Sequence, residues 1–140
     1  MLGGGLNPEA LSNLPGNPLV VKYAPQLELL QKTSLNITHG GLNTTLESLS
    51  YGVPMVAIPV TDDQPGVAAR IAWTKVGELV KLSSLNVDSM QKTVERVLKE
   101  SSYKQNAVRL QKAIRRNEGV NRAVNIIEQA VLTKKPVINL

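Results

Sequence analysis

A chain of 140 residues, 42% apolar and 19% charged, has globular composition and enough length to bury a core, which sets disorder aside. It contains no cysteine, which excludes disulfides and thiolate metal sites and suits a reducing, cytoplasmic setting. No apolar run approaches the ~20 residues that span a bilayer, and no secretory signal opens the sequence.

The net charge of +5 is unevenly placed. Residues 101–140 carry eight Lys/Arg against two Asp/Glu, whereas residues 1–100 carry eight against nine. A basic segment of this kind is a solvated helical face, or a contact for an acidic protein or a lipid surface, which leaves a peripheral membrane association open. The only rings are Tyr23, Tyr51, Trp73 and Tyr103. None is interleaved with the basic cluster, so no stacking platform exists and nucleic acid is not an expected partner.

In chain order, Met1 to Gly5 reads as the end of a strand followed by a glycine turn. Asn7 to Leu14 reads as a short helical turn, and Leu14-Pro15-Gly16-Asn17-Pro18 as a turn. Pro18 to Ala24, centred on Leu19-Val20-Val21, reads as a strand. A helix follows, with Pro25 in its first turn. Leu35 to Thr38 is the next strand, and Asn43 to Tyr51 the next helix, stopped by Gly52 and Pro54. Met55 to Ile58 is a strand, Pro65 opens a helix to about Lys75, and Gly77 to Leu82 is a further strand. Only helices follow: about 87–99, 103–116 and 120–132. Strands alternating with helices imply a parallel sheet covered by helices. The expected class is α/β, a Rossmann-like sheet with a C-terminal helical tail at about 86–133.

In such sheets ligands sit outside the carboxyl ends of the strands, where His39, Gly40, Asp63 and Gln64 fall on two successive strand-to-helix loops. His39 is the chain's only histidine, placed to donate to a phosphate oxygen or to a loop carbonyl. Gly40 and Gly41 let a phosphate approach a helix N-terminus, or simply make the turn. Thr44 and Glu47 fit a capping box, although a carboxylate there also suits the two hydroxyls of a ribose. Asp63 and Gln64 either cap the next helix or hold sugar hydroxyls. Tyr23 offers a flat face to a base, or packs in the core. With one histidine placed for phosphate, no separate base, activated nucleophile or metal cluster is left, so no catalytic residue is assigned to this chain.

Tyr23-Ala24-Pro25-Gln26, His39-Gly40-Gly41-Leu42-Asn43-Thr44, Glu47, Gly52-Val53-Pro54-Met55, Pro59 and Asp63-Gln64 resemble the nucleotide-sugar signature of UDP-glycosyltransferases with the GT-B fold. The run from Ile37 to Asn43 and on through Asp63 to Arg70 is most similar to the bacterial carotenoid (zeaxanthin) glucosyltransferase and macrolide glycosyltransferase branch. The resemblance implies that Tyr23 stacks on uracil and that Gln26 lies beside base and ribose. It also implies that His39, Asn43, Thr44 and the backbone around Gly40 and Gly41 hold the pyrophosphate. Glu47 would bind the ribose, and Asp63 and Gln64 the transferred sugar. Tyr23 and Leu42 stand where plant members carry tryptophan, which loosens base and sugar identity (UDP or dTDP; glucose or another hexose) more than phosphate binding.

By the same resemblance, residues 1–140 are an incomplete donor-binding domain. The catalytic base belongs to an acceptor-binding N-terminal half, supplied in cis or in trans, and the donor substrate is a UDP-sugar with no further cofactor. The first strand of the domain, expected to be central, would precede Met1, so a gap or exposed edges should be closed by neighbouring strands, a second copy or another polypeptide. The alternatives are a non-catalytic nucleotide-sugar binding subunit and an inactive structural remnant.

Overall fold

The computed structural model describes residues 14–16 and 18–138. The readings made for Met1 to Gly5, and for the helical turn up to Asn13, lie outside the described residues. The chain divides into two compact units, Met1–Thr33 and Ser34–Leu140.

In the first unit a turn forms at Pro15 and Gly16, with Gly16 at φ +82°. One short helix, α1 (Gln26–Leu30), starts after Pro25, whose carbonyl accepts from Leu29 N–H at 3.1 Å. The strand expected over Pro18 to Ala24 does not form. Strands exist by pairing, and an apolar triplet with no ladder partner among the described residues has nothing there to hold it extended. Leu19 is 83% exposed.

The second unit holds β1 (Asn36–Thr38), α2 (Leu42–Ser50), β2 (Met55–Ala57), α3 (Gln64–Trp73) and β3 (Gly77–Leu79). The helices α4 (Val87–Lys99), α5 (Ser101–Arg116) and α6 (Gly119–Thr133) follow. The strands form one parallel sheet in the order β1-β2-β3, with Ile37 opposite Val56 and Val56 opposite Glu78. Parallel neighbours need crossovers, which α2 and α3 supply. The last strand is shorter than the expected Gly77 to Leu82, because a 3-10 turn takes Leu82–Ser84.

Central β2 is buried along its whole length. Its alternating side chains feed two cores. Met55 and Ala57 pack with Leu49 of α2, Ala68 and Ile71 of α3, Ala107 of α5, and Val76 just before β3. Val56 points the other way, to Val80 and Val97 of α4. Thus α4 and α5 of the C-terminal helical segment contribute to the core. By contrast α6 buries no residue. No helix among the described residues is long and apolar enough to cross a membrane.

Long-range polar contacts fix the helices that carry the loops. Lys104 Nζ donates to Gly52 O at 2.7 Å and Gln111 Nε2 to Ser50 O at 3.0 Å, so α5 satisfies carbonyls at the end of α2. Asn106 Nδ2 donates to Lys75 O at 3.2 Å, after α3. At the far side Glu78 receives Arg96 Nη2–H at 2.7 Å and the Tyr103 hydroxyl at 2.6 Å. The hydrogen bond from the Arg96 guanidinium holds the Glu78 carboxyl below its ordinary value. Partial burial, aided by the carboxylate that accepts its proton, pushes the Tyr103 phenol up to about 12.

Candidate functional site

Because the strands are parallel, their carboxyl ends share one edge of the sheet. From β1 the chain leaves through His39-Gly40-Gly41 into α2, and from β2 it leaves through residues 58–63 into α3. The first loop meets the start of α3 at Gly40. This residue is buried at φ +86°, a conformation only glycine adopts without strain. A Cβ placed there would lie 3.4 Å from the Gln64 carbonyl oxygen and 3.8 Å from Ala68 Cβ. Thr38 anchors the turn from beneath: its hydroxyl accepts from Gly40 N–H at 3.2 Å, and its carbonyl accepts from Ile58 N–H at 2.8 Å.

Gly41 serves a different purpose. At φ −60° it is unstrained and occupies the N-cap of α2 without any side-chain cap. A Cβ here would come within 2.6 Å of His39 Nε2. The missing side chain makes room for the imidazole, which lies folded against the helix start. The Gly41 carbonyl accepts from both the N–H and the hydroxyl of Thr45, each at 3.0 Å. The first N–H groups of a helix lack intrahelical acceptors and carry its positive end, so a ring nitrogen and a helix tip converge on one spot.

The capping-box reading of Thr44 and Glu47 is corrected. The helix begins at Leu42 with Gly41 as N-cap, so Thr44 is already its third residue and Glu47 its sixth. Asn43 is exposed, whereas Thr44 and Glu47 are half-buried. The Thr44 carbonyl accepts from Ser48 Oγ at 2.7 Å.

In the second loop Asp63 occupies the N-cap of α3, but its side chain makes no capping bond and is exposed. Gln64 is the first residue of the helix. Its Oε1 accepts from Val60 N–H at 2.9 Å and Thr61 N–H at 3.1 Å. The capping role considered for this pair is therefore absent: Asp63 caps nothing, and Gln64 closes its own loop. Tyr23 and Gln26 belong to the first unit. Tyr23 is 81% exposed, which rules out core packing, and Gln26 opens α1 half-buried.

Sequence reasoning missed three contributors to this edge: the Thr38 hydroxyl, the small Ala68 that lets Gly40 approach α3, and the Val60 and Thr61 N–H groups. Ala68 had a signal, since it lies on the apolar face of its helix. The others depend on loop conformation.

A parallel α/β sheet with a glycine-led helix start at its carboxyl edge defines the Rossmann-like class of nucleotide-binding folds. Within it, the chain belongs to the UDP-glycosyltransferase family: the family model described as "UDP-glucoronosyl and UDP-glucosyl transferase" matches residues 4–134. The chain is 34% identical to the zeaxanthin glucosyltransferase of Pantoea ananas over 86% of its own length and 28% of that protein's. Among solved structures it is similar to the calicheamicin glycosyltransferase CalG4, with a TM-score of 0.86 and 27% identity over 96% of this chain and 35% of that one. The glycosyltransferase VinC, solved in complex with dTDP, matches with a TM-score of 0.76 and 27% identity over 86% of this chain and 32% of that one. The fold is that of the corresponding part of the GT-B glycosyltransferases it matches. The chain spans about a third of the length of the curated relatives it matches.

Proposed function

We propose that residues 1–140 form the donor-binding portion of an inverting glycosyltransferase, which moves a hexose from a UDP-sugar to the hydroxyl of a lipophilic acceptor. The observation that carries this reading is the contact between the His39-Gly40-Gly41 loop and the start of α3, which brings both loops to one edge. On this reading the diphosphate rests against the tip of α2, with His39 and the side chains of Asn43 and Thr44 as donors and Gly40 and Gly41 allowing the approach. Glu47 accepts from the ribose hydroxyls. Asp63 and Gln64 meet the sugar, and Tyr23 and Gln26 meet the base.

The acceptor-binding half, in cis or in trans, supplies the base that removes the acceptor's proton. The freed oxygen attacks the anomeric carbon, the bond from that carbon to the diphosphate breaks, and UDP leaves with the electron pair. His39 and the helix tip stabilise that charge, and one such donor contributes ~3 kcal/mol. A second reading is a donor-binding subunit that is silent until a partner supplies the acceptor site. Among the described residues β1 ends the sheet, and an edge strand is what that partner or a second copy would pair with. Calorimetric titration with UDP tests both readings. Saturable binding that Glu47→Ala abolishes is expected, whereas no binding at millimolar UDP would leave only a structural remnant.

A further inference from the structure

On the face of the sheet that α2, α3 and α5 cover lies a groove of about 220 Å³. Leu42, Leu46 and Leu49 of α2, Val67 and Ile71 of α3 and Leu110 of α5 line it. Leu42 and Leu46 stay 51% and 47% exposed, so apolar side chains face solvent where the two helices meet. Two threonines in the wall commit their hydroxyl protons to the backbone: Thr45 Oγ1 donates to Gly41 O at 3.0 Å, and Thr74 Oγ1 to Arg70 O at 2.7 Å. The one charged side chain in the lining is Arg70, which has no acidic partner among the described residues. Its guanidinium lies over the Trp73 ring, 5.3 Å from the centroid. A guanidinium held over an aromatic ring still offers its N–H groups to a carboxylate.

We infer that this groove is a second ligand site, which takes a medium-chain alkyl carboxylate: the chain lies between α2 and α3, and the head group pairs with Arg70. Drug-sized pockets begin at about 300 Å³, so the body that fits here is short. Charge selects the head. Another apolar groove, along Leu85, Val87, Met90 and Val94, carries Glu95 in its lining, and a carboxylate is repelled there. The site goes beyond the donor edge, and its occupancy does not depend on the donor reading.

Octanoate is the probe, with octanol as its uncharged counterpart. On the 140-residue chain, affinities are read from the methyl NMR signals of Leu46, Ile71 and Leu110, and the head group from the emission of Trp73, the only tryptophan. Octanoate should saturate at millimolar concentration, shift those methyls and change the Trp73 emission. Arg70→Met keeps most of the stem and removes the charge. It should weaken octanoate about tenfold, as loss of one charge-assisted hydrogen bond does, and leave octanol unchanged. Val67→Phe fills the groove from α3 and should weaken both probes, whereas saturating UDP should leave octanoate affinity as it was. Equal octanoate binding in wild type and Arg70→Met would overturn the head-group assignment. Shifts centred on Val87, Met90 and Val94, displacement by UDP, or undiminished binding in a folded Val67→Phe would overturn the site. Absence of saturable octanoate binding would overturn it as well and leave the donor reading untouched.

Discussion

Replacing Gly41 with alanine perturbs the proposed phosphate site through space rather than through backbone conformation. At φ −60° alanine fits without strain, and the stiffer unfolded chain contributes about 0.4–1 kcal/mol in favour of folding. Alanine is also a poorer N-cap than glycine by an amount on the order of 0.5–1 kcal/mol. The two nearly cancel, so the denaturation midpoint should scarcely move. The new methyl group, however, would stand 2.6 Å from His39 Nε2, about 1 Å inside normal contact. The exposed imidazole must swing away from the helix tip. If it donates to a phosphate, the loss is that of a charge-assisted hydrogen bond, about 1.5–3 kcal/mol, or roughly ten- to a hundredfold in UDP affinity. His39→Ala should cost the same, and the double variant no more than either single one, because both remove one interaction. Calorimetric titration of the four proteins completes the cycle. Unchanged affinity in Gly41→Ala, or fully additive losses, would refute the reasoning.

Gly77→Ala should fail differently. Its Cβ would collide with the Met55 carbonyl and press on Ile71 Cγ2 at 3.0 Å. Both belong to the packed strand and its helix, so a loss on the order of 3 kcal/mol is expected in chemical denaturation. Glu78 has a depressed folded pKa, so its ion pair stabilises the fold above the ordinary carboxyl value near 4.5 and is lost as pH falls through the folded value. Midpoints measured at falling pH should therefore drop less steeply in Glu78→Gln. Tyr103 has the opposite sign: with a folded pKa of about 12 against an ordinary 10.0, it stabilises below pH 10 and ceases to do so as pH rises through 12. Tyr103→Phe should remove that part of the alkaline loss.

Short strands were readable where the chain itself stops them. Asn36–Thr38 ends at His39-Gly40, and Met55–Ala57 starts after Gly52 and Pro54. The triplet Leu19-Val20-Val21 carries the same local signal and forms no strand, because pairing depends on a neighbour that local sequence cannot supply. The turn at Gly40 was legible from residue type alone. The need for glycine at Gly41 was not, since it follows from how the His39 ring folds back. Thr44 and Glu47 match a capping box in letters but not in frame, because an uncapped Gly41 starts the helix earlier. The anchors Lys104, Asn106 and Gln111 reach back 31 to 61 residues, beyond any periodicity in their own helix. The tie from Gln64 back to its own loop is the instructive omission. Its partners lie only three and four residues away, in a turn where Asp62 takes the left-handed φ of +55°.

The most direct test is an amide NMR titration of the 140-residue chain with UDP. Saturable shifts should centre on residues 39–44, with Glu47 and its neighbours following and the Glu78–Arg96–Tyr103 side silent. Absence of saturation, or shifts confined to surfaces away from the His39 loop, would contradict the assignment of this edge to the donor nucleotide.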